Sequence, residues 1–181
     1  MEDLSLHILD VAENGITAGA GLVRITIEED TEQDRLTLVI EDNGRGMEPD
    51  FLAKVLDPFV TTRTTRKVGM GLSLLQQAAA EADGDLKVES SPGRGTSVKV
   101  AMRHSHIDRK PLGDMAATMI TLIEGNPDVD FFYIHKKDGN EFSLDTRELR
   151  KELEEVPLNN PAVIGFIRDS VDSGLKEINA G

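Results

Sequence analysis

Three polar signatures interrupt regularly patterned apolar segments of this chain, and any fold it adopts has to account for all three. Asp10-Val-Ala-Glu-Asn14 lies within a helical pattern, Glu41-Asp42-Asn43-Gly44-Arg45-Gly46-Met47 directly follows an apolar strand, and Gly69-Met70-Gly71-Leu72 opens a further apolar helix. Residues four apart on a helix share a face, so Asp10 and Asn14 point into one cleft. A carboxylate at a strand end before two glycines can face a pocket floor that the backbone approaches closely. Glycines at the start of a helix let N–H groups reach an anion that the helix dipole also attracts.

The segments between these signatures give the coarse architecture. Leu4, Leu6, Ile8, Leu9, Val11 and Ala12 predict a helix from about Asp3 to Ala18, ended by the glycines at 19 and 21. The β-branched runs 22–27 and 35–40 predict a strand pair joined by a polar loop over 28–34. Pro49 starts a short helix to about Leu56, residues 57–68 read as a lid, and an alanine-rich helix runs from Gly71 to Ala82. A second hairpin, 86–89 with 96–102, turns through Ser90-Ser-Pro-Gly-Arg-Gly95. This order predicts a two-layer α/β sandwich with a mixed sheet, its helices on one face.

At His104 the composition turns polar and basic. The expected organisation is a domain over residues 1–104, a linker over 105–110, and a small C-terminal α+β unit over 111–181. That unit reads as a helix, a hairpin turning at Lys137-Asp138-Gly139-Asn140, and two more helices, and it holds most of the aromatic residues. About 70 residues make a marginal core alone, so packing on the first domain or on a partner is expected.

A formal net charge of -13 excludes broad binding to nucleic acid or to an anionic membrane. No apolar run approaches the roughly 18 residues of a membrane helix, the N-terminus has no targeting pattern, and there is no cysteine. A cytoplasmic location is expected. Against the acidic background Arg63, Arg66 and Lys67 cluster just ahead of the glycines, which suits a triphosphate.

Together the signatures describe a site for ATP and Mg2+. A neutral carboxamide oxygen from Asn14 adds a magnesium ligand without adding repulsion to the phosphate oxygens. Asp10, one turn earlier, is the candidate catalytic group, orienting or deprotonating a nucleophile or holding a metal-bound water. Asp42 accepts from an exocyclic amino group, which adenine presents at its six position and guanine does not. Gly44 and Gly46 admit the base, Met47 gives it apolar contact, and Gly69, Met70, Gly71 and Leu72 form the phosphate cradle.

In order, Asp10-Xaa-Xaa-Xaa-Asn14, Asp42-Xaa-Gly44-Xaa-Gly46, Pro58-Phe59-Val-Thr61-Thr62 and Gly69-Xaa-Gly71-Leu72 resemble the N, G1, F and G2 boxes of the Bergerat-fold ATPases. That superfamily includes gyrase, heat-shock chaperones, histidine kinases and mismatch-repair ATPases. The sequence is most similar to the catalytic domain of sensor histidine kinases, over about Met1 to Arg103, including Gly84 and Ser90-Xaa-Xaa-Gly93-Xaa-Gly95-Thr96. The resemblance implies that Asn14 ligates magnesium, that Asp42 reads adenine, that Thr96 holds the base through water, and that Phe59, Thr61 and Thr62 belong to the nucleotide site. Three features depart from it: no phosphoacceptor helix pair precedes the first box, Ser73 stands at the third glycine of the G2 box, and Asp10 replaces the glutamate base of the gyrase-like members.

The expected function is that of a histidine-kinase-like protein lacking its own phosphoacceptor domain and transferring the γ-phosphoryl group of ATP to a separate protein. The alternatives are an ATP-dependent switch with little turnover, or a slow ATPase; oligomerisation is left open.

Overall fold

The structure, a computed structural model, describes residues 2–56 and 66–180, with residues 66–70 described through their backbone alone. Six strands form one mixed sheet in the order β3-β4-β2-β1-β5-β6. In chain order these are β1 (Leu22–Asp30), β2 (Arg35–Asp42), β3 (Asp85–Ser91), β4 (Gly95–Arg103), β5 (Asp130–Lys137) and β6 (Asn140–Asp145). All neighbours pair antiparallel except β1 and β5, which run parallel from Leu22 opposite Asp130 to Glu29 opposite Lys137.

Alternation explains why one sheet face is covered. Val23, Ile25 and Ile27 of β1, Leu36, Leu38 and Ile40 of β2, Val98, Val100 and Met102 of β4, and Phe131 and Tyr133 of β5 are all buried. On that face lie α1 (Leu4–Thr17), α3 (Arg66–Glu81), α4 (Met115–Gly125) and α6 (Pro161–Glu177), with α2 (Pro49–Val55) against α3 and α5 (Thr146–Leu153) against β5. This is the α/β sandwich with a mixed sheet that the sequence predicts. Leu4, Ile8, Val11 and Ala12 give α1 its buried stripe. Full burial of a side chain such as Leu4 or Ile8 contributes about 1.5–3 kcal/mol.

Residues 111–180 are stitched into this framework. The N–H groups of Leu4 and Ser5, which a helix start leaves unpaired, donate to the carbonyls of Pro111 and Leu112 at 2.9 and 2.8 Å. Thr118 Oγ1 donates to the Ser5 carbonyl at 3.3 Å. At the far end of the β1–β5 seam the core face turns polar: Glu29 is 1% exposed, its carboxylate 3.0 Å from His104 Nε2 and 2.8 Å from His135 Nε2. Tyr133 Oη lies 2.7 Å from His135 Nδ1, and burial together with the Glu29 charge pushes its phenol far above the usual tyrosine range.

Element boundaries differ from expectation in two informative places. β1 and β2 extend to Asp30 and Asp42 because Glu28 and Glu29 pair on both sides, with β2 and with β5, Asp30 pairs with Arg35, and Glu41 and Asp42 pair with both β1 and β4, so ladder bonds outweigh their poor strand propensity. The helix expected to open at Gly71 begins at Arg66 instead, which places Gly69 and Gly71 inside α3 and removes 66–68 from the lid. Arg66, Lys67 and Val68 carry no helix breaker, and tertiary packing tolerates the glycines that follow.

Candidate functional site

The helix α1 delivers Asp10 and Asn14 toward α3. A Cβ placed on Gly71 would stand 3.5 Å from Asp10 Cβ and 3.8 Å from Asn14 Nδ2, so the first and third signatures face each other across the α1–α3 seam. Asp10 is exposed and Asn14 half-buried, and neither side chain hydrogen-bonds a described residue. Partial desolvation, then the Glu2 carboxylate, holds the Asp10 carboxyl above its ordinary value, with His7 opposing.

The second signature reaches the same place through Gly15. A Cβ there would fall 2.7 Å from Asp42 Cβ and 2.8 Å from its Cγ and Oδ2, so the absence of a side chain one position after Asn14 lets α1 close directly over Asp42. Burial raises the Asp42 carboxyl above the ordinary aspartate value, while hydrogen bonds from the Gly44 and Thr96 N–H groups counter it. Gly44 N donates to Asp42 Oδ1 at 2.9 Å. Thr96 stands opposite Asp42 in the β2–β4 register, with its Oγ1 2.9 Å from Ser90 Oγ.

The loop between Asp42 and Met47 is pinned on both sides. Asn43 Oδ1 accepts from Gly21 N and Leu22 N at 2.8 and 2.9 Å, and Arg45 N donates to the Ala18 carbonyl at 2.9 Å. Gly46 has φ 73° and lies so close to the Ser91 carbonyl that a side chain would overlap it. Met47 N donates to Ser90 Oγ at 2.9 Å, and its half-buried side chain packs on the core. Leu72 is 2% exposed and belongs to the core beneath α3.

A cavity of about 510 Å³ adjoins this loop, lined by Asp42, Leu52, Ser90, Gly95 and Thr96 among others. A larger one of about 690 Å³, around Glu28–Glu32 and residues 136–141, is walled mainly by carboxylates that repel phosphate. The former touches Asp42 and Thr96, although Glu41 and Glu89 also line it and Asp10, Asn14 and Gly71 do not.

Asp10, Asn14, Asp42, Gly44, Gly46, Met47, Gly71 and Thr96 thus gather around the α1–α3 seam and the adjoining loop. Phe59, Thr61, Thr62 and Arg63 lie outside the described residues. Arg66, Lys67, Gly69 and Met70 are in the first turns of α3, their side chains outside the description. Sequence reasoning missed Gly15, although a signal was present. A glycine in a helix interior costs roughly 0.5–1 kcal/mol relative to alanine, so its presence beside Asn14 pointed to a close approach. It also assigned no role to Asn43 or Ser90, whose polar side chains tie the loop from both ends.

Residues 2–106 match the model of the family described as histidine kinase-, DNA gyrase B-, and HSP90-like ATPase. The chain is 30% identical over 119 residues to the non-motile and phage-resistance protein of Caulobacter vibrioides, covering 61% of this chain and 14% of that one. It is 39% identical over 89 residues to the sensor protein kinase FleS of Pseudomonas aeruginosa, covering 49% of this chain and 22% of that one. The chain therefore spans less than a quarter of the length of these curated relatives. Among solved structures, the Aquifex aeolicus MutL ATPase domain complexed with ADP aligns with a TM-score of 0.51 at 16% identity, covering 93% of this chain and 88% of that one, a likeness of fold. Among the described residues no helix is long and apolar enough to cross a membrane.

Proposed function

The chain belongs to the histidine kinase-, DNA gyrase B-, and HSP90-like ATPase family, and on that premise we propose that it binds Mg·ATP beside the α1–α3 seam and transfers the γ-phosphoryl group to a side chain of a separate protein. Asp42 accepts from the adenine amino group, Gly44 and Gly46 leave room for the base, and Thr96 supports it from the neighbouring strand. The carboxamide of Asn14, neutral and without a partner among the described residues, fits a magnesium ligand. Bound magnesium would neutralise charge on the phosphate oxygens. Asp10, exposed beside Asn14, orients the incoming acceptor and takes its proton as the acceptor atom bonds to the γ-phosphorus and ADP departs.

The observation that carries transfer to another molecule is the state of the four histidines. His7 is buried, and His135 is held by Glu29 and Tyr133. His104 Nε2 contacts Glu29, while His106 accepts from Asp108 N at 3.1 Å and stands 3.5 Å from Asp83. The unpaired ring nitrogens of His7 are closed off from solvent one turn before Asp10, and the other three rings are engaged elsewhere, so an acceptor from outside these residues suits the site better. The likeness to the sensor protein kinase FleS favours the same reading.

The test is incubation with γ-labelled ATP and proteins that co-purify with the chain from its native cell. Label transferred to a co-purified protein, and abolished by Asp10→Asn while ATP binding persists, is the expected result. Label retained on this chain, or free phosphate released without a partner, overturns the transfer reading; tight ATP binding with neither marks a switch instead.

A further inference from the structure

Among the described residues, His7 is the only buried side chain with unpaired polar atoms: neither ring nitrogen has a hydrogen-bond partner, although the residue is just 3% exposed. Leaving one such group unpaired costs about 1–3 kcal/mol, a penalty that an apolar side chain would avoid. Burial, then Lys110, lowers the His7 pKa against the opposing charges of Glu2 and Asp10, so the ring is neutral near pH 7 and offers one N–H donor and one acceptor.

His7 lines part of a cavity of about 240 Å³ between the start of α1, the later half of α3 and Lys110, its two ring nitrogens lying just beneath the surface. Leu74, Gln77, Ala78 and Glu81 supply the α3 side at helical spacing, so one wall is apolar at Leu74 and Ala78 and polar at the other two. Gln77 Nε2 donates to Glu81 Oε1 at 3.1 Å on the exposed side of α3. Glu2 and Lys110 complete the lining, and neither forms an ion pair with a described residue. At about 30 Å³ per water the space equals roughly eight waters, the size of an amino acid.

We propose that this cavity binds a free amino acid or another zwitterion of that size. Its ammonium group pairs with Glu2 and Glu81, and its carboxylate takes the Lys110 ammonium and, after a small turn of the ring, the His7 N–H; the side chain rests on Leu74 and Ala78. The set answers both ends of such a molecule, whereas a simple anion would meet two carboxylates and a simple amine would leave Lys110 unanswered. A ligand here bridges the two helices that, one turn further along, carry Asp10 and Gly71.

The test is thermal unfolding of the full chain without nucleotide, against each standard L-amino acid separately at millimolar concentration. At a hundredfold excess over Kd, the responding amino acid is expected to raise Tm by about 5–10 °C. Its decarboxylated and deaminated counterparts should give no shift. Lys110→Met and Glu81→Gln should lose the response, and His7→Phe should fold at least as stably as the parent yet not respond. Asp42→Asn should respond fully, which keeps this result separate from any failure of the nucleotide reading. The proposal is overturned if no amino acid shifts Tm, if the shift survives Lys110→Met, or if Asp42→Asn abolishes it.

Discussion

Replacing Gly15 with alanine isolates the contact that brings α1 onto Asp42. The added Cβ would fall 2.7 Å from Asp42 Cβ and 2.8 Å from Cγ and Oδ2, well inside the roughly 3.5–4.0 Å of an ordinary carbon contact. Alanine in a helix interior gains about 0.5–1 kcal/mol over glycine, and overpacking costs about 1–3 kcal/mol, so the net change in stability is at most about 2.5 kcal/mol. That lowers Tm by no more than about 10 °C in a chain of this size. The effect on the site is larger in kind, because Asp42 is the side chain that must yield. On the proposed role of Asp42, moving its carboxylate breaks a hydrogen bond to adenine worth about 1.5–3 kcal/mol, equivalent to about 10–150-fold in Kd. Calorimetric titration of ATP should therefore show a Kd raised at least tenfold in folded Gly15→Ala protein. In an Asp42→Asn background the same substitution should add little, since both changes remove one interaction. ATP binding within twofold of the parent, or full additivity of the two substitutions, would refute the assignment.

Acidification gives a second test, with opposite signs for stability and binding. Because burial raises the folded Asp42 carboxyl above its unfolded value, ionised Asp42 subtracts from stability at neutral pH. That penalty is relieved as pH falls through the raised value and is gone below the unfolded one. ATP affinity should decline through the same window as the acceptor is protonated, and a pH series on Asp42→Asn should be flat by comparison; an equal decline there refutes the role. Asn14→Ala should weaken ATP binding in magnesium about tenfold and have little effect in EDTA, as measured by titration in each buffer. Glu29→Gln sets an amide N–H against one of two imidazoles in a buried network, so Tm should drop by about 2–12 °C with ATP affinity unchanged; calorimetric unfolding checks this.

Local pattern made much of the fold legible. The apolar stripe of α1 gave a helix within one residue of Leu4–Thr17, and strand-like runs flanked by turn residues located all six strands of the sheet. Pairing across long sequence separation was less accessible. The parallel register of Leu22–Glu29 with Asp130–Lys137 joins residues over 100 positions apart, and nothing in either strand's alternation names the other. The same limit applied at Glu28 and Glu29, whose strand state depends on partners on both sides. At the site, the residue types at 10, 14, 42, 44 and 46 carried their own chemical signal. Gly15, Asn43 and Ser90 act only by what they allow or tie down nearby, so their roles required coordinates. The early start of α3 at Arg66 shows the converse error, in which glycines were read as a boundary when packing had absorbed them.

The helix α1 links these observations because successive stretches along it have different tasks. Asp10, Asn14 and Gly15 meet α3 and Asp42, His7 closes the small cavity, and Leu4 and Ser5 take their missing hydrogen-bond acceptors from Pro111 and Leu112. A helix start with those two N–H groups unpaired would be weaker, and fraying of the first turn would loosen Leu4 and Ile8, whose packing sets the height of the whole helix over the sheet. The geometry of Asn14 relative to Asp42 therefore depends on residues 111 and 112, although neither lies near the nucleotide cleft. By the same reasoning β5 holds β1 from its second edge, so β1 cannot shift against β2 and carry Asp42 with it. The region after residue 106, beyond the span that matches the family model, is thus part of what positions the site within it.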